Sequence, residues 1–146
     1  MGIFIDLIRG GLLVGPISSG GGGGGSDSNI ESNKLCESAV TVGDAVYNDG
    51  GTLKQALATD LTKSQVVGFV MAKSDTTHCN IQTGGFSSAV FSLLTIGQDY
   101  FLSHTTPGAL QTSRPPSGFQ YVSINLGMGF TSSRLAIQIA DRMQLS

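Results

Sequence analysis

From residue 35 onward the chain is punctuated by turn-forming residues roughly every eight to twelve positions, and this spacing is what short strands of a sandwich or barrel require. The stretches between the turns carry the two-residue alternation of strands. In "THCNIQT", Cys79 and Ile81 point one way and His78, Asn80 and Gln82 the other. "QYVSINL" places Val122, Ile124 and Leu126 on one face, and "RLAIQIA" does the same with Leu135, Ile137 and Ile139. "QVVGFVMA" (65–72) is apolar on both faces, as expected for a strand covered on both sides. "NDGG" (48–51) supplies the positive φ angles of a hairpin turn. Within "LTIGQDYFLSHTTPGALQT" (94–112), Tyr100 and Leu102 share a face opposite Phe101, and "TPGA" fits a type II turn. Pro115 and Pro116 in "TSRPPSG" have no N–H to donate, so that loop is expected to lie exposed at one end. No window of this region sustains a helical period. The expected fold is all-β, a small antiparallel sandwich or barrel with an extended N-terminal arm and a Gly-rich linker.

Composition divides the chain into three parts. Residues 1–19 form an apolar arm, 20–34 a Gly/Ser-rich linker and 35–146 the β-rich domain. The linker opens on six glycines, Gly20 to Gly25, which carry high backbone entropy and pack nothing. The arm presents Ile3, Phe4, Ile5, Leu7, Ile8, Leu12, Leu13, Val14 and Ile17, while Gly10, Gly11 and Pro16 limit any helix to a turn or two. Such an arm on a loose tether is expected to be an anchor for a partner, with folding back onto its own domain as the competing arrangement. One arm binds weakly, and several on one oligomer gain from effective concentration. Asp6, Arg9 and two glycines interrupt the arm, so it reads neither as a membrane span nor as a signal peptide. Asp6 also stands where a myristoylation motif wants serine or threonine. Synthesis in a cytoplasm is expected.

Charged residues make up only 12% of the chain, which favours burial of surface against partners over a free monomer. A net charge of −2 offers no footprint for nucleic acid or an anionic membrane. Cys36 and Cys79 do not make a disulfide framework or a metal-ligand pair, and read as buried reduced thiols. The polyglycine lacks the flanking strand and helix of a phosphate loop. His78 and His104 have no cysteine or carboxylate at metal-ligand spacing and read as exposed polar residues. Ser103 beside His104 points to the opposite face of a strand, so adjacency makes no triad. Asp44, Asp49, Asp60, Asp75, Asp99 and Asp141 are scattered singly, with no spacing that marks a glycosidase pair. No catalytic residue, metal or cofactor is therefore expected, and the chain reads as non-enzymatic. Tyr47, Tyr100, Phe119 and Tyr121 suit either a sugar platform or ordinary packing. The candidate receptor surface is Arg114, Phe119 and Tyr121.

The order of "AVTVGDAVY", "VVGFVMA", "LTIGQDYFLSHTTPGAL" and "PPSGFQYVSINLGMGFTSSRLAIQI" resembles small β-domains of tailed-bacteriophage virion proteins, found in head decorations, fibres and spikes. The residues that carry it are Val42, Gly43, Asp44, Val46 and Tyr47; Val66 to Val70; Gly97, Tyr100 to Ser103, Pro107 and Gly108; and Gly127 and Gly129. The resemblance covers about two-thirds of the chain and consists of turn and core signatures. It implies a homotrimeric structural protein of the virion, assembled in the host cytoplasm. Such a protein acts as capsid decoration, cement or short tail fibre, held to capsid or tail subunits by its N-terminal segment. The alternative is a glycan- or receptor-binding module of a fibre or spike. A tailspike depolymerase is not expected, since no long extension follows the domain in this sequence.

Overall fold

The computed structural model describes residues 29–117, 121–141 and 143–144. The arm residues from Ile3 to Val14, most of the linker, and Phe119 lie outside the described residues.

Twelve strands follow one another in the described chain: β1 (Ile30–Leu35), β2 (Ala45–Asp49), β3 (Thr52–Gln55), β4 (Val66–Asp75), β5 (His78–Gln82), β6 (Gly85–Phe86), β7 (Asp99–Leu102), β8 (Leu110–Gln111), β9 (Val122–Ser123), β10 (Asn125–Gly129), β11 (Leu135–Ile137) and β12 (Met143–Gln144). They make two five-stranded antiparallel sheets, ordered β1-β5-β4-β2-β3 and β6-β11-β10-β7-β8, and a small β9-β12 pair. The fold is all-β, as the alternation predicts, and no helical segment of α type occurs among the described residues. Strand β1 takes in Ile30 to Leu35, so the first sheet includes the last residues of the stretch read as linker.

The turns have the expected chemistry. The β2–β3 hairpin closes on Gly50 and Gly51, at φ +62° and +98°, and the Gly51 amide donates to Asn48 Oδ1 at 2.8 Å. Gly108 sits at φ +76° after Pro107, as a type II turn requires.

The main core lies between the sheets. Ala45, Tyr47 and Phe69 from the first sheet meet Tyr100, Leu102, Leu126, Leu135 and Ile137 from the second. Each large side chain buried here contributes about 1.5–3 kcal/mol from removal of apolar surface. Tyr47 and Tyr100 are thus packing residues, and do not join a surface platform. A second cluster of Cys36, Val40, Val46, Leu53, Val70, Cys79 and Ile81 covers the opposite face of the first sheet. Val46 and Val70 alternate with Ala45 and Phe69, which explains why "VVGFVMA" is apolar throughout: β4 is clad on both sides. Lys73 Nζ ties down the covering segment by donating to the carbonyl oxygens of Val40 and Thr76, at 2.8 and 3.1 Å.

Gln82 departs from its predicted outward position and is buried. Its Nε2 donates to the carbonyls of Gly84 and Phe86, both at 2.8 Å, which satisfies the amide and fixes the crossing from the first sheet to the second.

Candidate functional site

The most recognisable stretches of the sequence converge in space, and their role there is structural. Asp44 Oδ2 accepts from the Thr41 amide and hydroxyl and from Gln55 Nε2, at 2.8, 3.1 and 2.8 Å. Gly108 is packed so closely on this carboxylate that a Cβ there would come within 2.7 Å of Asp44 Cγ. The Ala45 amide donates to the Gly108 carbonyl at 2.9 Å, and the Gly108 amide to the Ala56 carbonyl at 2.7 Å. "VGDAVY" and "TTPGAL" are therefore the two halves of a clasp between the sheets. Ser103 Oγ accepts from the Thr106 amide at 3.0 Å and holds the same turn, and the Tyr100 hydroxyl accepts from the Thr95 amide at 2.8 Å. Gly127 and Gly129 let strands touch: a Cβ at either would lie 2.2 Å from the Ala136 carbonyl oxygen or 2.1 Å from that of Thr95.

Two surface features remain after this accounting. The first is polar and aromatic, on the outer side of β7 and β8. The Arg114 guanidinium lies over the Phe101 ring, 5.7 Å from its centroid, in cation–π range. Tyr121 meets His104 edge to face at 5.2 Å. Gln111 stands beside Phe101 in the β7–β8 register, and its Oε1 lies 3.1 Å from His104 Nδ1. Of the predicted receptor residues, Arg114 is exposed and Tyr121 half-buried in this patch. His104, read from sequence as an exposed polar residue, is half-buried and held between Gln111 and Tyr121. In the neighbouring loop Pro115 is buried, so "TSRPPSG" is pinned at its centre rather than wholly exposed.

The second feature is apolar. Phe86 on edge strand β6 and Phe130 in the β10–β11 turn stack at 4.4 Å with an interplanar angle of 33°, and are 57% and 44% exposed. The register Phe86↔Ala136↔Met128 carries this surface across the outer face of the second sheet. Arg134 lies over Phe130 at 5.6 Å and donates from Nε to the Ser87 carbonyl at 2.7 Å. A groove of about 560 Å³ opens between Ile30, Phe86, Ala89 and Arg134.

Neither feature assembles hydrolytic or metal chemistry. Among the described residues no three His, Cys, Asp or Glu side chains stand close enough to share a metal ion. His78 Nδ1 lies 3.1 Å from both Asp75 carboxylate oxygens in the tight β4–β5 turn, an arrangement that caps the hairpin. The Thr77 amide and then His78 hold the Asp75 carboxyl down at about 2. Cys36 and Cys79 are buried and free. Burial first, then the neighbouring Cys36 thiol, pushes the Cys79 thiol up, which favours its protonated form.

No family model, curated protein or solved structure matches this chain. The sequence names Arg114 from the proline loop and Tyr121 as one of the aromatics beside it. It does not single out Phe101, Phe86, Phe130 or Arg134; Arg134 and Phe130 are near neighbours, but Phe86 and Ser87, which they meet, come from a distant segment. The available hint was the phenylalanine in "GGFSS", an apolar residue in a segment otherwise built for solvent.

Proposed function

We propose that this chain is a non-enzymatic structural protein of a bacteriophage particle, a β-sandwich that joins larger virion proteins through its apolar N-terminal arm. The phage context rests on the resemblance in residues 42–129. The attachment role is carried by one observation: the outer face of the second sheet leaves a stacked Phe86–Phe130 pair and Met128 in solvent. Apolar surface of this kind, rimmed by polar residues, marks an association site. A chain with 12% charged residues also gains solubility by assembling. The proposed mechanism is mechanical. Sandwich domains pack as a homotrimer, and the arms on one trimer add their weak contacts to capsid or tail subunits into firm attachment. Its place is the virion, as decoration, cement or short fibre.

Deleting residues 1–19 is expected to leave folded oligomers that fail to join particles. Normal occupancy of particles by the truncated protein would overturn the anchoring role.

The patch of Phe101, His104, Arg114 and Tyr121 favours a second reading, a module that binds host-surface glycans. Sugars stack on aromatic faces and take hydrogen bonds from planar polar groups, and Phe101, Arg114 and Gln111 offer both. A glycan array separates the two: a purely structural protein gives no signal, and a binder loses its signal on Phe101→Ala.

A further inference from the structure

We propose that the groove between Ile30, Phe86 and Arg134 is the seat of this chain's own apolar arm, which it holds before the arm is delivered to a partner. The inference rests on the reading of the arm as an anchor and adds where the arm waits.

Three observations point to this occupant. The first is where the chain enters the described domain. The Asn29 carbonyl accepts from the Thr83 amide at 2.7 Å and from the Thr83 hydroxyl at 3.1 Å, which pins the entry point against the crossing to β6. The Asn29 side chain lies alongside Gly84 and Gly85, the residues that lead into Phe86. Ile30, the next residue, is itself a wall of the groove. The arm is therefore tethered at the groove's edge.

The second is reach. Residues 20–28, six of them glycine, separate the arm from Asn29, and a Gly-rich tether of nine residues spans about 15–18 Å on average. An apolar peptide held that close has an effective concentration in the millimolar range, enough to sustain a weak contact within the chain.

The third is chemical match. Beside the polar Gln82, Ser87 and Ser88, the groove offers Phe86 and Ile30, which are 57% and 42% exposed, with Phe130 stacked on Phe86. The segment hydrogen-bonded along the 129–133 turn continues the apolar surface with Leu93 and Ile96, 93% and 73% exposed. Arg134 supplies one positive charge that no carboxylate among the described residues pairs. Residues 1–19 supply ten large apolar side chains, Met1 included, and two charged ones of opposite sign, Asp6 and Arg9. An arm lying in the groove covers apolar surface that Phe86 and Ile30 otherwise leave in solvent.

The test uses the full chain carrying a nitroxide attached through Gly2→Cys; Cys36 and Cys79 are buried and do not compete for the label. Amide signals of Phe86, Phe130 and Arg134 are expected to broaden away in the labelled chain. In a dilute mixture of labelled chain with isotope-enriched, unlabelled chain they are expected to stay sharp. Phe86→Ser with Phe130→Ser is expected to restore the signals of the labelled chain while the rest of its spectrum is retained, since both side chains are on the surface. Sharp signals in every sample, or broadening equal in the double variant, would overturn the seat. Broadening in the mixture would assign the groove to a second copy and overturn the proposal equally. Particle joining is a separate readout: a chain can hold its arm here and still fail to attach, or attach without ever holding it.

Discussion

At its centre the first sheet carries apolar side chains on both faces and has both covered, though edge strand β1 exposes Ile30 and Leu35, whereas the second buries one face and leaves Phe86, Met128 and Phe130 on the other in solvent. The two sheets are similar in strand number and pairing, so topology does not explain the contrast. The covering segment does. Residues 36–43 fold across the first sheet with Cys36 and Val40 facing inward, and Lys73 fastens them. Nothing among the described residues lies across the second sheet in the same way. The first sheet is clad on both faces at its centre, and the second leaves one aromatic-bearing face open.

The largest expected effect tests the scaffold. Phe69→Ala removes the ring that packs edge to face on Phe91 at 5.5 Å between the sheets, and is expected to cost about 3–5 kcal/mol in denaturant unfolding. Phe86→Ser is expected to cost no more than about 0.5–1.5 kcal/mol, the worth of an aromatic pair at the surface. If the two costs proved equal, Phe86 would belong to a core and the contrast between sheets would collapse.

An intermediate effect concerns the clasp. Gly108→Ala places a methyl group against Asp44 in a backbone conformation at φ +76°, and is expected to cost about 1–3 kcal/mol. Asp44→Ala relieves that clash but removes the acceptor for Thr41 and Gln55. Unfolding of both single variants and the double variant should show strong non-additivity, because the two residues act as one contact.

The smallest effect is acidic. The Asp75 carboxyl is lowered from 3.8 to about 2, so its contribution to stability is present in full above the unfolded value and is lost as pH falls from about 4 towards 2. The difference in melting temperature between the native chain and Asp75→Asn should therefore be constant at neutral pH and shrink across that window. A difference that persists unchanged at pH 2 would show that the carboxylate's charge is not what the turn uses.

Much of the fold was legible because strand alternation and turn chemistry are local. "THCNIQT" announces Cys79 and Ile81 as inward, and "NDGG" announces its hairpin, without reference to anything distant. Gln82 was misplaced by the same alternation, because its burial depends on the carbonyls of Gly84 and Phe86 that only the crossing brings near. The clasp was visible as text and illegible as contact: nothing in "VGD" says that it will meet "TPG". The apolar face was hidden for a related reason. Phe86 and Phe130 become neighbours only through the pairing of β6 with β11 and the turn that carries β11 back from β10, a consequence of sheet order rather than of either segment.

If the open face of the second sheet seats the arm, as proposed, a probe on that face captures it. A photo-crosslinking phenylalanine analogue at Phe86, with a control at Leu35 on β1, tests it most directly. Peptides crosslinked from position 86 in the full chain are expected to map to residues 3–14, and position 35 is expected to yield none of them. Equal arm capture from both positions, or none from position 86, would contradict it.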